Sequence, residues 1–258
     1  MKSIREIKAF QEYLMNSWPA KHYYFLNGWI LRFNDGVTSR ANSVFPINYT
    51  GTQKTLDTDI TMVEEAYKEY GLPSIFTMYE FHEPINLKDK LIDRGYYVFD
   101  HTRALGIEME NILTMSTIDH FNYSFHGTRI NEIPTLLSRF TKRNEKEQKI
   151  IQEINDRIIV PKKCYILTEH KNEVIGTLFA VLIPQGFLYV GNVFVHPDFR
   201  RQNIATNMII KLINEWGRSN GVKVIWLQVE KNNIGALNLY EKFGMEKIYD
   251  YYYMKKEE

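Results

Sequence analysis

Residues 186–216 read GFLYVGNVFVHPDFRRQNIATNMIIKLINEW, and this is the most informative stretch of the chain. The apolar run at 186–197 predicts a long buried strand. From Ile204 onward, apolar residues recur on one face at helical spacing, which predicts an amphipathic helix that ends near Gly221. Between the two lies a short arginine-containing turn, in which Asn203 stands where a glycine is expected.

This strand–turn–helix pattern predicts an anion site. A tight turn into a helix points successive backbone N–H groups at one spot, at the positive end of the helix dipole. Arg200 and Arg201 add charge at the rim. Asn203 is compatible with such a turn, since asparagine tolerates left-handed backbone geometry and is a favoured helix N-cap. The chemistry that fits is pyrophosphate.

The rest of the chain predicts helices and strands that follow one another in a similar order in the two halves. The second half predicts a strand at 123–130, helices at 131–141 and 144–157, a hairpin at 163–183 that turns at Lys171-Asn172, a strand at 222–230, and a helix at 233–244. The first half predicts a helix at 3–17, a hairpin of strands 27–33 and 38–47 that turns at 34–36, helices at 55–71 and 85–95, and strands at 73–80 and 96–109.

Several positions of the first half recur in the second, which favours an internal duplication over a chance match. The paired positions are Gly71 with Gly221, Glu80 with Glu230, Gly95 with Gly244, and Asn42 with Asn192. The boundary between the halves is expected near residues 110–122.

The composition argues against several classes of protein. The chain has 258 residues, of which 44% are hydrophobic, enough for one large or two smaller domains. Its 32 basic and 31 acidic residues argue against binding to nucleic acid or to an anionic membrane. We expect a cytoplasmic protein, since the sequence shows neither a signal core nor an apolar run long enough for a membrane span. Its single cysteine, Cys164, is expected to be a buried small apolar residue, and the histidine spacing predicts no metal site.

The segment 187–254 resembles the GNAT superfamily of acyl-CoA N-acyltransferases. The loop pattern of that family, Arg/Gln-x-x-Gly-x-Gly/Ala, is matched by RRQNIA at 200–205, with Asn203 in place of glycine. Its later pattern, Asn-x-x-Ala-x-x-x-Tyr-x-x-x-Gly-Phe, is matched by Asn233, Ala236, Tyr240, Gly244 and Met245, with methionine in place of phenylalanine.

The resemblance implies an α/β (α+β) fold with a mixed, mostly antiparallel central sheet flanked by helices, present as a tandem duplication. Residues 1–112 would form a degenerate GNAT-like domain and residues 122–258 the catalytic domain. It implies acetyl-CoA, or another acyl-CoA, as cosubstrate, with the pyrophosphate on the amides of 201–206 and the pantetheine arm along 193–195. The cofactor-binding residues implied are Val193, Phe194, Val195, Arg200, Arg201, Gln202, Asn203, Ile204, Ala205, Thr206, Asn233 and Tyr240.

Two residues are candidates for proton transfer. Tyr240 would lie near the thioester sulfur and donate a proton to the departing thiolate, although it could instead be a packing aromatic. Glu230, at the end of the predicted central strand, could take a proton from the amine, directly or through water. The alternative is a solvated glutamate at a strand end.

The first half lacks the corresponding chemistry. Leu91 occupies the position of Tyr240, and the loop YTGTQKT at 49–55 lacks the arginines. We therefore expect this half to bind no CoA and to shape the acceptor site. Arg40 and Asn42, on a predicted strand, could line an acceptor pocket or form an ordinary solvated face.

The predicted function is an N-acetyltransferase that moves acetyl from acetyl-CoA to a primary amine by direct attack in a ternary complex. The alternative is a regulatory module that binds acyl-CoA without turnover. The partners expected are acetyl-CoA and an amine acceptor, with no metal, nucleic acid or membrane, in a monomer or homodimer. The candidate acceptors are an amino acid, a polyamine, an aminoglycoside-like molecule, and a protein N-terminus or lysine.

Overall fold

The structure is a computed structural model that describes residues 4–113, 120–127, 130–160 and 162–256. It divides into two compact units. Unit 1 comprises Met1–Arg103, Glu230–Asn232 and Tyr249–Glu258, and unit 2 comprises Ala104–Val229 and Asn233–Ile248. Parts of the expected linker (114–119) and of the expected strand at 123–130 (128 and 129) lie outside the described residues. In the described part of the chain, no helix combines the length and apolar character needed to cross a bilayer.

Unit 1 is built around an apolar core that includes Trp29, Leu31, Ile60, Val63 and Phe76, all buried. Its strands β1 and β2 pair antiparallel, as do β3 and the last strand of the chain. In chain order its elements are α1 (Ile4–Ser17), β1 (His22–Leu26), β2 (Trp29–Phe33), α2 (Leu56–Glu69), β3 (Ile75–Tyr79), α3 (Leu87–Asp93) and the first part of β4 (Tyr96–Glu108).

The predicted hairpin of unit 1 was wrong in its turn and in its second strand. The chain turns at Asn27-Gly28, where φ is 45° and 85°, so that β1 pairs with β2. Residues 38–47 form no strand beyond isolated bridges at Val44 and Phe45.

Asn42 explains the loop that replaces the predicted strand. Its side-chain oxygen accepts from the amides of Asn34 (2.6 Å) and Gly36 (3.1 Å), and its amide nitrogen donates to the carbonyls of Asn34 (3.1 Å) and Thr38 (2.8 Å). These bonds compete with a strand ladder for the same backbone groups. Because Asn42 is engaged in this loop and Arg40 stacks 5.3 Å from the Trp18 ring, the strand face proposed for an acceptor pocket does not exist.

Unit 2 holds the strand–turn–helix stretch. Its strands lie in the order β4–β9–β8–β7–β6–β5, with β5–β6, β6–β7 and β7–β8 antiparallel and β8–β9 parallel. After β4 its elements are β5 (Asn122–His126), α4 (Ile133–Phe140), α5 (Glu145–Asp156), β6 (Lys162–His170), β7 (Glu173–Leu182), β8 (Phe187–Val195), α6 (Ile204–Lys211), β9 (Val224–Glu230), α7 (Ile234–Lys242) and β10 (Glu246–Lys256), of which the last extends into unit 1. The predicted turn at Lys171-Asn172 is confirmed, with φ of 50° and 67°.

The mixed, mostly antiparallel sheet with flanking helices confirms the predicted fold class. The order α2–β3–α3–β4 in the first half recurs as α6–β9–α7–β10 in the second. The paired glycines Gly71, Gly221, Gly95 and Gly244 all have positive φ, between 66° and 86°. The match of Asn42 with Asn192 is not structural, because one lies in a loop and the other within β8.

Candidate active site

Strands β8 and β9 begin side by side and then part. The parallel pairing runs from Phe187 opposite Val224 to Val190 opposite Leu227. β8 continues beyond this to Val195, and β9 to Glu230. Residues 187–190 are mostly buried, whereas 191–195 are only half-buried. The result is a parted pair of strands with an accessible backbone edge in the middle of the sheet of unit 2.

A β-bulge marks the point where the strands part. Asn192 has φ of 52°, and the β7 partners shift from Gly191 opposite Phe179 to Phe194 opposite Thr177, so β8 carries one extra residue. The Thr177 hydroxyl donates to the Asn192 carbonyl at 3.4 Å. A bulge bends its strand and increases its twist. The bulge was not predicted, although the dipeptide Gly191-Asn192 inside an apolar strand is a sequence signal for it.

The turn after β8 is left-handed at two positions. A short 3₁₀ turn at Pro197–Phe199 leads to Arg201 and Asn203, with φ of 62° and 60°. Asn203 therefore has the backbone geometry that glycine adopts readily. It occupies the N-cap position of α6, as asparagine commonly does, but its side chain makes no capping hydrogen bond.

The backbone amides of this turn have no partner in the part of the chain that the structure describes. Within the described residues, the N–H groups of 201–206 donate to no acceptor, and the first intrahelical bond runs from the Asn207 amide to the Asn203 carbonyl at 2.8 Å. The first turn of a helix always leaves such donors unsatisfied. Gly176 of β7 lets the helix begin close to the sheet, since a Cβ there would lie 3.0 Å from Ile204 Cγ2. The turn therefore presents unpaired donors next to the parted strands.

The side chains of the turn lie at its exposed rim. Arg200 Nε donates to the Val195 carbonyl at 3.3 Å, which ties the turn to the end of β8. Gln202 Nε2 donates to the Asp198 carbonyl at 3.4 Å. Arg200 and Arg201 are both exposed. Two cations in this position attract an anion to the unpaired amides.

Asn233 and Tyr240 lie at the two ends of α7. Asn233 caps the helix, with its side-chain oxygen accepting from the Ala236 amide at 3.2 Å. Tyr240 belongs to the core of unit 2 and is 6% exposed. Burial, followed by the nearby Tyr189 hydroxyl, raises the pKa of Tyr240 well above its usual value, so its hydroxyl keeps its proton at neutral pH.

Glu230 is exposed at the C-terminal end of β9 and belongs to unit 1. There it lines a surface pocket together with Asp100, His101, Lys231 and Asn232. His101 was not predicted as a neighbour of Glu230, because the two residues are far apart in the chain and neither lies in a motif.

Other reactive groups of the described residues do not suggest a second chemistry. No group of three or more histidine, cysteine or acidic residues among them is placed to hold a metal ion. Cys164 is buried, and burial raises the pKa of its thiol to about 12, which keeps it in the unreactive protonated form.

Two family models match this chain. Residues 130–245 match the Acetyltransferase (GNAT) family. This region belongs to the GNAT family. Residues 4–83 match the family described as probable histone acetyltransferase Rv0428c C-terminal. The predicted GNAT relationship is thus confirmed, with an acetyltransferase-like domain in the first half.

Curated relatives carry the same class of activity in their names. The uncharacterized N-acetyltransferase YobR of Bacillus subtilis (strain 168) is 27% identical over 256 residues, which cover 97% of this chain and 99% of YobR. The [ribosomal protein bS18]-alanine N-acetyltransferase of Escherichia coli (strain K12) is 31% identical over 78 residues, 30% of this chain and 51% of that enzyme. That second match spans about half of the relative's length.

Solved structures share the fold. A GCN5-related N-acetyltransferase from Kribbella flavida aligns with a TM-score of 0.69 at 12% identity, over 99% of this chain and 95% of the other. A tandem GNAT protein from the clavulanic acid biosynthesis pathway aligns with a TM-score of 0.61 at 9% identity, over 77% and 68%. At these identities the likeness concerns the fold.

The GNAT region makes the chain an acetyl-CoA-dependent acyltransferase, as predicted, and the regulatory alternative is not favoured. The roles assigned to individual residues, from Val193 to Tyr240 and including Glu230, stay predictions.

Proposed function

We propose that this protein transfers the acetyl group of acetyl-CoA to a primary amine by direct attack in a ternary complex. The observation that carries the proposal is the parting of β8 from β9 beside a turn with unpaired amides at 201–206. This combination suits a long ligand with a pyrophosphate at one end and an amide-containing arm at the other. The arm can add hydrogen bonds to an open strand edge.

Each part of acetyl-CoA has a matching group. The amides of 201–206 bind the pyrophosphate, with Arg200 and Arg201 at its rim. The backbone of Val193, Phe194 and Val195 pairs with the pantetheine arm. The remaining cofactor-binding residues are Gln202, Asn203, Ile204, Ala205 and Thr206 in the turn, and Asn233, whose side-chain nitrogen is left over after its oxygen caps α7.

The reaction needs little from the protein. The neutral amine attacks the thioester carbonyl, a C–N bond forms, and collapse of the tetrahedral intermediate breaks the C–S bond. Backbone N–H groups of the parted strand stabilise the oxyanion. Tyr240 donates its proton to the departing thiolate, and Glu230 accepts a proton from the amine, directly or through water. Positioning of the two substrates supplies much of the remaining acceleration.

The first half is proposed to bind no CoA. Its loop at 49–55 differs from the turn at 200–206: Tyr49 donates to Asp59 at 2.6 Å, and Thr52 and Thr55 bond to each other across the loop. The amides of Thr52 and Thr55 and the hydroxyl of Tyr49 thus already have partners within the first half. Calorimetry on the full chain should give one acetyl-CoA per chain, and a stoichiometry of two would contradict this proposal. We also propose that the protein acts in the cytoplasm, as a monomer or homodimer.

The deciding experiment measures free CoA released from acetyl-CoA against a panel of primary amines. We expect amine-dependent release that equals the N-acetylated product found by mass spectrometry. Reactions without amine measure hydrolysis. Tight binding of acetyl-CoA with no release for any amine would contradict the proposal and favour a regulatory module.

A further inference from the structure

Unit 2 contains a cavity between its helices α4 and α5 and the sheet. The α5 residues Gln148, Gln152 and Asn155 line it from one side. From the other side it is lined by Thr177 and by Asn192, the residue of the β8 bulge. The cavity thus reaches the strand that is proposed to hold the acetyl group.

The cavity lies on the face of β8 turned toward α4. Asn192 lines the cavity, and Phe194, two residues on, stacks on Phe140 of α4 with ring centroids 6.4 Å apart. Two residues of chain span at most about 7 Å. A short aliphatic chain is therefore long enough to connect a group beside Asn192 with an amine beside Phe194.

Two buried oxygens at this cavity have no hydrogen-bond donor among the described residues. Gln152 is 4% exposed, its Nε2 donates to the Ile130 carbonyl at 2.8 Å, and its Oε1 is left without a partner in the described residues. Asn155, three residues on along α5, is 3% exposed, and its Oδ1 is likewise unpaired there. The bond to Ile130 fixes which end of the Gln152 amide is the oxygen. A buried unpaired acceptor is costly, so both oxygens favour a hydrogen-bond donor in the cavity, which a water molecule or a ligand can supply.

None of the described residues that line the cavity is charged, and more than half of them are apolar. Without a carboxylate, a second ammonium group would be buried here without a counter-charge, at a large cost. A hydroxyl or a neutral N–H group carries no such penalty and satisfies the unpaired oxygens.

We infer that this cavity selects the acceptor: it takes the far end of a primary amine whose substituent is uncharged and donates one hydrogen bond, and it rejects amines with a second positive charge. The inference rests on the proposed acetyl transfer. Among the candidate acceptors it excludes polyamines and aminoglycoside-like molecules.

Three amines of equal length test this selection: 4-amino-1-butanol, pentylamine and 1,4-diaminobutane, which end in a hydroxyl, a methyl and an ammonium group. We expect kcat/KM, expressed per neutral attacking amine, to be roughly fivefold higher for the amino alcohol than for pentylamine, given the usual net value of one hydrogen bond. The diamine should be at least roughly tenfold poorer than the amino alcohol. Equal values for the hydroxyl and methyl amines, or a preference for the diamine, would overturn the inference.

A carboxylate placed in the cavity should reverse the order. In Gln152→Glu the diamine should become a better substrate than the amino alcohol, and Asn155→Asp provides a second test at the neighbouring oxygen. Lys146→Gln is the matched control, because it changes the charge of α5 by the same amount at an exposed position outside the cavity. An unchanged order in both folded cavity variants would contradict the assignment.

A binding measurement tests the selectivity of the cavity independently of the proposed reaction. Calorimetry of the same three amines against the protein saturated with CoA should give the same order of affinity without any turnover. If that order holds and no amine yields product, the proposed function fails and the selectivity of the cavity stands. If product forms but neither kcat/KM nor affinity follows the order, the cavity does not choose the acceptor.

Discussion

Replacing Tyr240 with phenylalanine removes one hydroxyl and leaves the rest of the side chain in place. Tyr240 is 6% exposed and packs in the core of unit 2. Its hydroxyl makes no hydrogen bond to the described part of the chain, so Tyr240→Phe leaves no unpaired partner behind. We expect the free energy of unfolding to change by less than about 1 kcal/mol. The variant therefore tests chemistry rather than folding.

The expected loss is in turnover. General acids contribute about 10²- to 10⁴-fold, and a thiolate is a good leaving group that needs less help, so we expect kcat to fall by about a hundredfold, within a range of roughly ten- to a thousandfold. That corresponds to about 1.4–4 kcal/mol in the activation free energy. The Kd for acetyl-CoA should stay within about twofold, because the hydroxyl acts only on the departing sulfur.

The pH profile gives a second readout. Burial raises the pKa of Tyr240, so the proton it donates is lost only at a pH above its usual value near 10. Activity should therefore rise with pH as the acceptor amine becomes neutral, with no decline caused by Tyr240 below about pH 10.

The assay is steady-state CoA release at saturating amine, with the Kd from calorimetry. Tyr70→Phe, which removes an exposed hydroxyl in unit 1, is the control and should match the parent protein. A kcat within twofold of the parent for Tyr240→Phe would remove this residue from the mechanism. A large loss of acetyl-CoA affinity would assign it to binding instead.

Three further changes probe the turn and the first half. Arg200→Ala should weaken binding of CoA more than binding of pantetheine, as measured by calorimetry, and equal losses would place Arg200 away from the phosphates. Asn203→Gly should bind acetyl-CoA at least as well as the parent, and a sharp loss of affinity in this variant would give the asparagine side chain a role of its own. Asn203→Val should lower thermal stability, because a β-branched residue is strained at φ of 60°. Asn42→Ala removes four buried or partly buried hydrogen bonds and should lower the free energy of unfolding, measured in urea, by about 2–4 kcal/mol. A change below about 1 kcal/mol would show that other groups stabilise the loop that contains Asn42.

The elements with strong local signals could be predicted from the sequence. The helical spacing from Ile204 and the Lys171-Asn172 turn correspond to α6 and to the β6–β7 hairpin. The hairpin of unit 1 was mispredicted because two turn signals compete. Asn27-Gly28 and the segment 34–36 both turn in the structure, but the side chain of Asn42 occupies the backbone groups that a second strand would need.

The candidate site likewise has one part that could be predicted from the sequence and one that could not. The unpaired amides of 203–206 follow from a local rule, since a helix leaves its first N–H groups unpaired wherever it begins. No local rule predicts the cavity lined by Gln152 and Asn192, because the residues that line it come from segments far apart in the sequence. Glu230 shows the same limit: its strand end was predicted, but its pocket neighbours Asp100 and His101 were not.

The GNAT relationship, the strand–turn–helix stretch and the position of Asn203 within it could therefore be predicted from the sequence, because these depend on residues close together in the chain. The point at which β8 leaves β9, and the buried oxygens without a partner among the described residues, are visible only in the folded chain. The bulge at Asn192 depends on how β8 pairs with β7 and with β9. Whether the side-chain oxygen of Gln152 has a hydrogen-bond donor depends on all the segments packed around it. Local conformational preference fixed the first set, and packing and hydrogen-bond competition between distant segments fixed the second.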